Sequence, residues 1–115
     1  ASSHTCLPAL RMFDVEGAQR AVANNGAAGM PNFAGTREGL LTRISSVPFE
    51  GRERAYGTRV AGVDVEAIRI AYDHERWIAR FTASWPEGSA AHASYHARIV
   101  AGPRRHALAL AAPAA

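Results

Sequence analysis

The sequence predicts an α+β fold, with two N-terminal helices packed on one face of a C-terminal antiparallel meander sheet of four to five strands. Two observations lead there. Between Glu66 and Ile99 the side chains alternate: Trp77, Ala79, Phe81, Ala83 and Trp85 share one face of an extended chain, and Ile78, Arg80, Thr82 and Ser84 share the other. Upstream, Leu40, Leu41, Ile44 and Val47 recur at helical spacing.

Taken in order, residues 1–13 read as a lead-in, with Pro8 opposing an early helix. Asp14 is placed to cap a helix over 15–24, which Asn24-Asn25-Gly26 ends. Residues 25–35 hold three glycines and a proline and read as a loop. Thr36 caps the second helix and Pro48 closes it. Residues 55–61 read as a short strand weakened by Gly57, and Gly62 breaks the chain before Val63. A hairpin then joins 66–72 to 77–85, setting Ile70 opposite Ala79 and Ile68 opposite Phe81. After the turn Pro86-Glu87-Gly88-Ser89, residues 93–99 return with Tyr95 opposite Phe81. The competing reading of this segment is a helix over 90–100 capped by Ser89, which its alanines favour. The unbroken alternation outweighs it. Gly102-Pro103 turns the chain again, Leu108 pairs opposite Ala97 in a further strand, and 111–115 is a frayed tail.

A chain of 115 residues, 48% apolar and 20% charged, reads as one globular domain spanning 1–115. No apolar run approaches the ~18 residues of a membrane span. Cys6 is the single cysteine, so no internal disulfide staples the fold. That points to a reducing, cytoplasmic setting, although a cleaved secretory signal leaves the same kind of start. No base can be assigned to Cys6 as a nucleophile. The thirteen basic side chains are all arginine. A GC-rich genome accounts for arginine without lysine and for the abundant alanine. Two functional readings compete with it: planar guanidinium forks grip phosphate or carboxylate, and a lysine-free chain escapes lysine-directed modification. The net charge of +3 permits nucleic acid or an acidic protein as partner without demanding either.

The predicted register puts Arg69, Arg80 and His96 side by side on the outer sheet face, with Arg98 and His92 nearby on it. Arginines directly opposite each other repel unless they are solvated, paired or bridged by an anion. Arg69, Arg80, His96 and Arg98 are therefore the candidate anion-binding set, against the plainer reading of side chains splayed into water. His92 and His96 are the metal candidates. On a helix they would share a face, but on a strand their Cα atoms stand ~13 Å apart, too far for one ion. No metal and no cofactor is expected. The inner stripe of Tyr72, Trp77, Phe81, Trp85 and Tyr95 reads as core, or as the wall of a pocket for an apolar ligand. Glu66 is the one acid projected onto that face, where burial would raise its pKa and suit it to general-base work.

Three functions follow in order of preference. The first is a binding module with a cationic outer sheet face for an anionic partner, nucleic acid or acidic protein. The second is a small pocket enzyme or apolar-ligand carrier with Glu66 or a histidine as acid or base. The third is a self-associating, immunity-type domain whose outer face is a homodimer seam. No motif names a reaction.

Overall fold

A computed structural model describes residues 1–113. Five strands precede three helices: β1 Ala9–Val15, β2 Ala18–Asn24, β3 Glu38–Ser45, β4 Arg54–Val60, β5 Val63–Ala71, α1 His74–Ser84, α2 Ala90–Ala101 and the single turn α3 Leu108–Ala111. β1 and β2 form a two-stranded sheet, and the second sheet runs β3-β5-β4, antiparallel throughout. The expected architecture, two N-terminal helices on a C-terminal meander of four to five strands, is overturned. Both expected N-terminal helices are strands, and the strands expected beyond Tyr72 are replaced by helices.

Asp14 shows how the first exchange arises. Its Oδ1 accepts the N–H of Gly17 at 3.1 Å, the same kind of bond that a helix cap makes. Here, however, Glu16 and Gly17 both have positive φ, 52° and 75°. That is the geometry of a two-residue hairpin turn, whose twist suits antiparallel strands. The chain reverses, and β1 pairs with β2 from Ala9↔Asn24 to Val15↔Ala18. Leu10 and Ala23 go into the core, while Phe13, Val15 and Val22 stay exposed on the hairpin.

β3 has the apolar spacing of a helix, yet β5 draws it into a sheet. Asp64–Ile68 are all buried on β5, so that strand needs cover on both faces and partners on both edges. β4 supplies one edge through the turn Ala61-Gly62, with φ of 48° and 81°. This agrees with the expected short strand and the break at Gly62. β3 supplies the other edge, with Leu41↔Ile68 and Arg43↔Glu66 in register. Leu40, Tyr56, Val65 and Ala67 then pack with Leu10, Ala23, Phe33 and Ala111 as the core. Leu41 and Ile44 of the supposed helical stripe remain exposed.

The α1 stripe is helical. His74 and Phe81 are buried, with Trp77 and Ile78 half-buried between them, at i, i+3, i+4 and i+7. Asp73 caps α1, its Oδ1 accepting the Arg76 N–H at 3.0 Å. Ser89 caps α2, its Oγ accepting the His92 N–H at 3.3 Å. The competing reading of this segment, a helix over 90–100 capped by Ser89, is thus the one that forms. Gly102 ends it at φ +73°, where a Cβ would also meet the Phe33 carbonyl oxygen at 2.7 Å. The pairings of Ile70 with Ala79, Ile68 with Phe81, Phe81 with Tyr95 and Leu108 with Ala97 do not exist. Phe81 is still buried and Thr82 exposed, because the helix puts them on different sides. Ala111 is fully buried, and residues 114 and 115 of the expected tail lie outside the described residues.

The helix pair is fastened at one end. The His74 ring bonds the Ile99 carbonyl at 2.8 Å, Trp77 Nε1 donates to the Gly29 carbonyl at 2.5 Å, and the Gly35 N–H donates to the Ala101 carbonyl at 3.2 Å. Among the described residues, the turn between α1 and α2 makes no hydrogen bond outside the pair. The molecule is elongated, 53 × 29 × 20 Å. No described helix is long and apolar enough to cross a membrane.

Candidate functional site

Glu66 lies on β5, the middle strand of its sheet, and is only 1% exposed. Arg43 donates to its Oε2 at 2.7 Å, Arg54 Nε to its Oε1 at 2.9 Å, and the Phe49 N–H reaches both oxygens at 3.2 Å. β3 sets Arg43 directly across from it, and the β3–β4 loop folds over to bring Phe49. Burial acts to raise the pKa of this carboxyl. The Phe49 amide and the two guanidiniums outweigh it and hold the group below the ordinary glutamate value. That direction is opposite to the one expected from burial alone. A carboxylate kept ionised this firmly anchors the sheet and has little basicity to offer.

The expected row of Arg69, Arg80 and His96 is not assembled on a sheet face. Arg69 is on β5, opposite Leu40 rather than Arg80, and its Nε sits 3.2 Å from Glu38 Oε1. Arg80 is exposed on α1 with no ion-pair partner among the described residues, and His96 is on α2. The repulsion between Arg69 and Arg80 that motivated the row has no structural basis.

Arg98 is different. It is half-buried on α2, and Nη2 donates to the Cys6 carbonyl at 2.7 Å. Its Nε is buried without a hydrogen-bond partner. Five other arginines (Arg37, Arg43, Arg54, Arg59 and Arg69) face carboxylates, but Arg98 has none among the described residues. Burial lowers its pKa from the ordinary arginine value, with the neighbouring Cys6 acting the other way; an arginine remains charged at neutral pH regardless. Two grooves meet at it. One, of about 760 Å³, runs past Leu7, Gly35, Ser94, Arg98 and Arg104. The other, of about 340 Å³, adds Cys6, Met30 and Tyr95. No acidic residue lines either. Sequence reasoning named Arg98 and missed Arg104 and Ser94. The signal was available: between residues 76 and 106 the chain has five arginines and one acid, Glu87.

Four of the five histidines divide into committed and free. His74 is buried and bonded to the Ile99 carbonyl. His106 stacks on Phe33 with ring centroids 5.9 Å apart and bonds the Pro8 carbonyl at 2.7 Å. Carbonyls only accept, so in both the bonded nitrogen carries the hydrogen. His92 and His96 stack on each other with centroids 4.2 Å apart, and neither ring bonds any other described group. A separate apolar cleft of about 320 Å³ lies between Leu40, Ile70, Tyr72, Trp77 and the Ala27–Gly29 backbone. Glu66 does not line it. Comparison with protein-family models, curated proteins and solved structures returns no match to this chain.

Proposed function

We propose that the protein is a small binding module whose α2 groove holds the phosphates of a single-stranded nucleic acid. The observation that carries this reading is the uncompensated Arg98 guanidinium at the junction of two acid-free grooves. A half-buried guanidinium without a counter-charge is costly, and an anion against the part of it that faces the grooves offsets that cost. Arg104 shares the groove and extends the positive surface. Tyr95 lines the adjoining groove and is 51% exposed, and Trp85 is 50% exposed at the far end of the helix pair. Exposed aromatics interleaved with arginine suit stacking on unpaired bases. This keeps the anionic partner expected for the arginine row and moves its seat from a sheet face to a helix.

The test is a titration with fluorescent oligo-dT at two salt concentrations. Affinity should fall steeply with salt. Arg98→Ala with Arg104→Ala should weaken binding at least tenfold and flatten the logarithmic salt slope by about 0.7 per lost phosphate contact. Arg69→Ala should change nothing, since Glu38 already neutralises that arginine. Equal affinity in the double variant removes the groove from the mechanism. Binding of poly-glutamate but not of oligo-dT would assign the groove to an acidic protein instead.

The apolar cleft beside Trp77 favours a second reading, a carrier of a small apolar ligand without acid–base chemistry. A neutral fluorescent probe such as 1-aminoanthracene should then bind the protein and lose affinity in Trp77→Ala. Unchanged probe binding in that variant rules the cleft out.

A further inference from the structure

We infer that His92 and His96 form a two-nitrogen chelate for a borderline divalent ion of the zinc class. The inference does not rest on the nucleic-acid reading. The helix makes the site: four residues apart on α2, the two rings lie parallel within 14°, centroids 4.2 Å apart. On a strand the same residues would stand ~13 Å apart and share nothing. Both rings also rest on Phe81 of α1, each at 6.4 Å between centroids, and Phe81 is buried. That contact keeps both rings on the side of α2 that faces α1, near each other before any ion arrives.

Availability of the nitrogens is the second point. The rings of His74 and His106 are committed to backbone carbonyls, whereas neither ring of this pair bonds a described group. Neutral imidazole is a preferred ligand for zinc, with Zn–N distances of about 2.0–2.1 Å. Parallel stacked rings aim their in-plane nitrogen lone pairs side by side, so both rings turn out of the stack to converge on one ion, which the i, i+4 spacing on a helix permits. Among the described residues no group of three metal-ligating side chains occurs, so the chelate uses two protein donors. Tetrahedral zinc then keeps two positions for water or for an external ligand. Ser94 and Arg98 line the groove and His92 and His96 do not, so the two sites occupy different residues of one helix.

The experiment is a calorimetric titration of the whole protein with Zn²⁺. One dominant site is expected. His92→Gln and His96→Gln should each weaken it at least tenfold, and the double variant should abolish it. His106→Gln, and His4→Gln combined with Cys6→Ser, should leave it unchanged. Wild-type affinity in either single variant overturns the proposal, as does loss of binding only in the His4/Cys6 variant. Circular dichroism checks that the variants keep their helices. If the double variant does not fold, the imidazole ¹⁵N shifts of the wild-type protein decide. Zn²⁺ should move those of His92 and His96 and no others, and movement confined to His4 overturns the proposal.

Discussion

Replacing Glu66 with glutamine should destabilise the protein by about 3 kcal/mol, the lower end of the range for breaking a buried ion pair. The carboxylate has no exposed side-chain surface, and three donors converge on it: Arg43, Arg54 and the Phe49 amide. Glutamine keeps the shape but leaves two guanidiniums without a counter-charge. Those arginines are partly exposed, 29% and 42%, and water relieves some of the loss, which sets the expectation at the lower end. Urea denaturation at pH 7 measures it. The exposed pair Arg37–Glu75 is the control, and Glu75→Gln should cost under ~1 kcal/mol.

The pH dependence has a definite sign. The folded-state pKa of Glu66 is depressed below its ordinary value of 4.5. The group's contribution is therefore complete above the unfolded-state pKa and is lost as pH falls through the folded-state one. The gap between wild type and Glu66→Gln should be widest near neutrality and shrink as pH falls from the unfolded-state pKa toward the folded-state one. A gap that is flat from pH 7 to pH 3 would mean that the carboxylate's charge contributes nothing.

The second large effect is expected at Phe33, in the segment that the sequence marks only as a glycine-rich loop. Phe33 is 4% exposed and belongs to the core. Its ring stacks on His106, and its carbonyl accepts from both the N–H and the hydroxyl of Thr36. The neighbouring Ala34 and Gly35 amides bond the His106 and Ala101 carbonyls, so this loop ties the C-terminal segment to the sheets. Phe33→Ala should cost roughly 3–5 kcal/mol, from lost burial plus the cavity left behind. Phe33→Leu should recover most of it. An alanine variant with a wild-type urea midpoint would show that the loop does not carry the core.

Asn32 explains why a loop can do this. It is fully buried, accepting the Ala27 N–H at 2.8 Å and facing the Ala27 carbonyl at 3.4 Å. Asn24 accepts the Gly26 N–H and donates to Thr5. Polar side chains thus satisfy the backbone groups that a buried loop would otherwise leave unpaired. Nothing in the residue pattern distinguishes such a loop from a solvated one, because its partners come from its own fold.

By itself, the sequence determined the local features: the short strand before Gly62, the strand continuing through Ile68, the turn ending at Ser89, and the burial of Phe81 beside exposed Thr82. Each depends on backbone chemistry or side-chain character within a few residues. Helix or strand was undetermined where it mattered most. Trp77, Phe81 and Trp85 are spaced by four, which fits a period of two and nearly fits 3.6. The residues between them that could have discriminated, Ala79 and Ala83, are small enough to suit either face. Leu40, Leu41 and Ile44 suit a helix, but β5 is buried on both faces and required a second edge partner, and β3 was the segment that met that need. Only the tertiary structure decided that Arg69 is neutralised by Glu38 while Arg98 is not, and that His92 and His96 both lie against Phe81. Charge pairing and ring contact depend on distances between elements, and those distances are set when the sheets and helices pack.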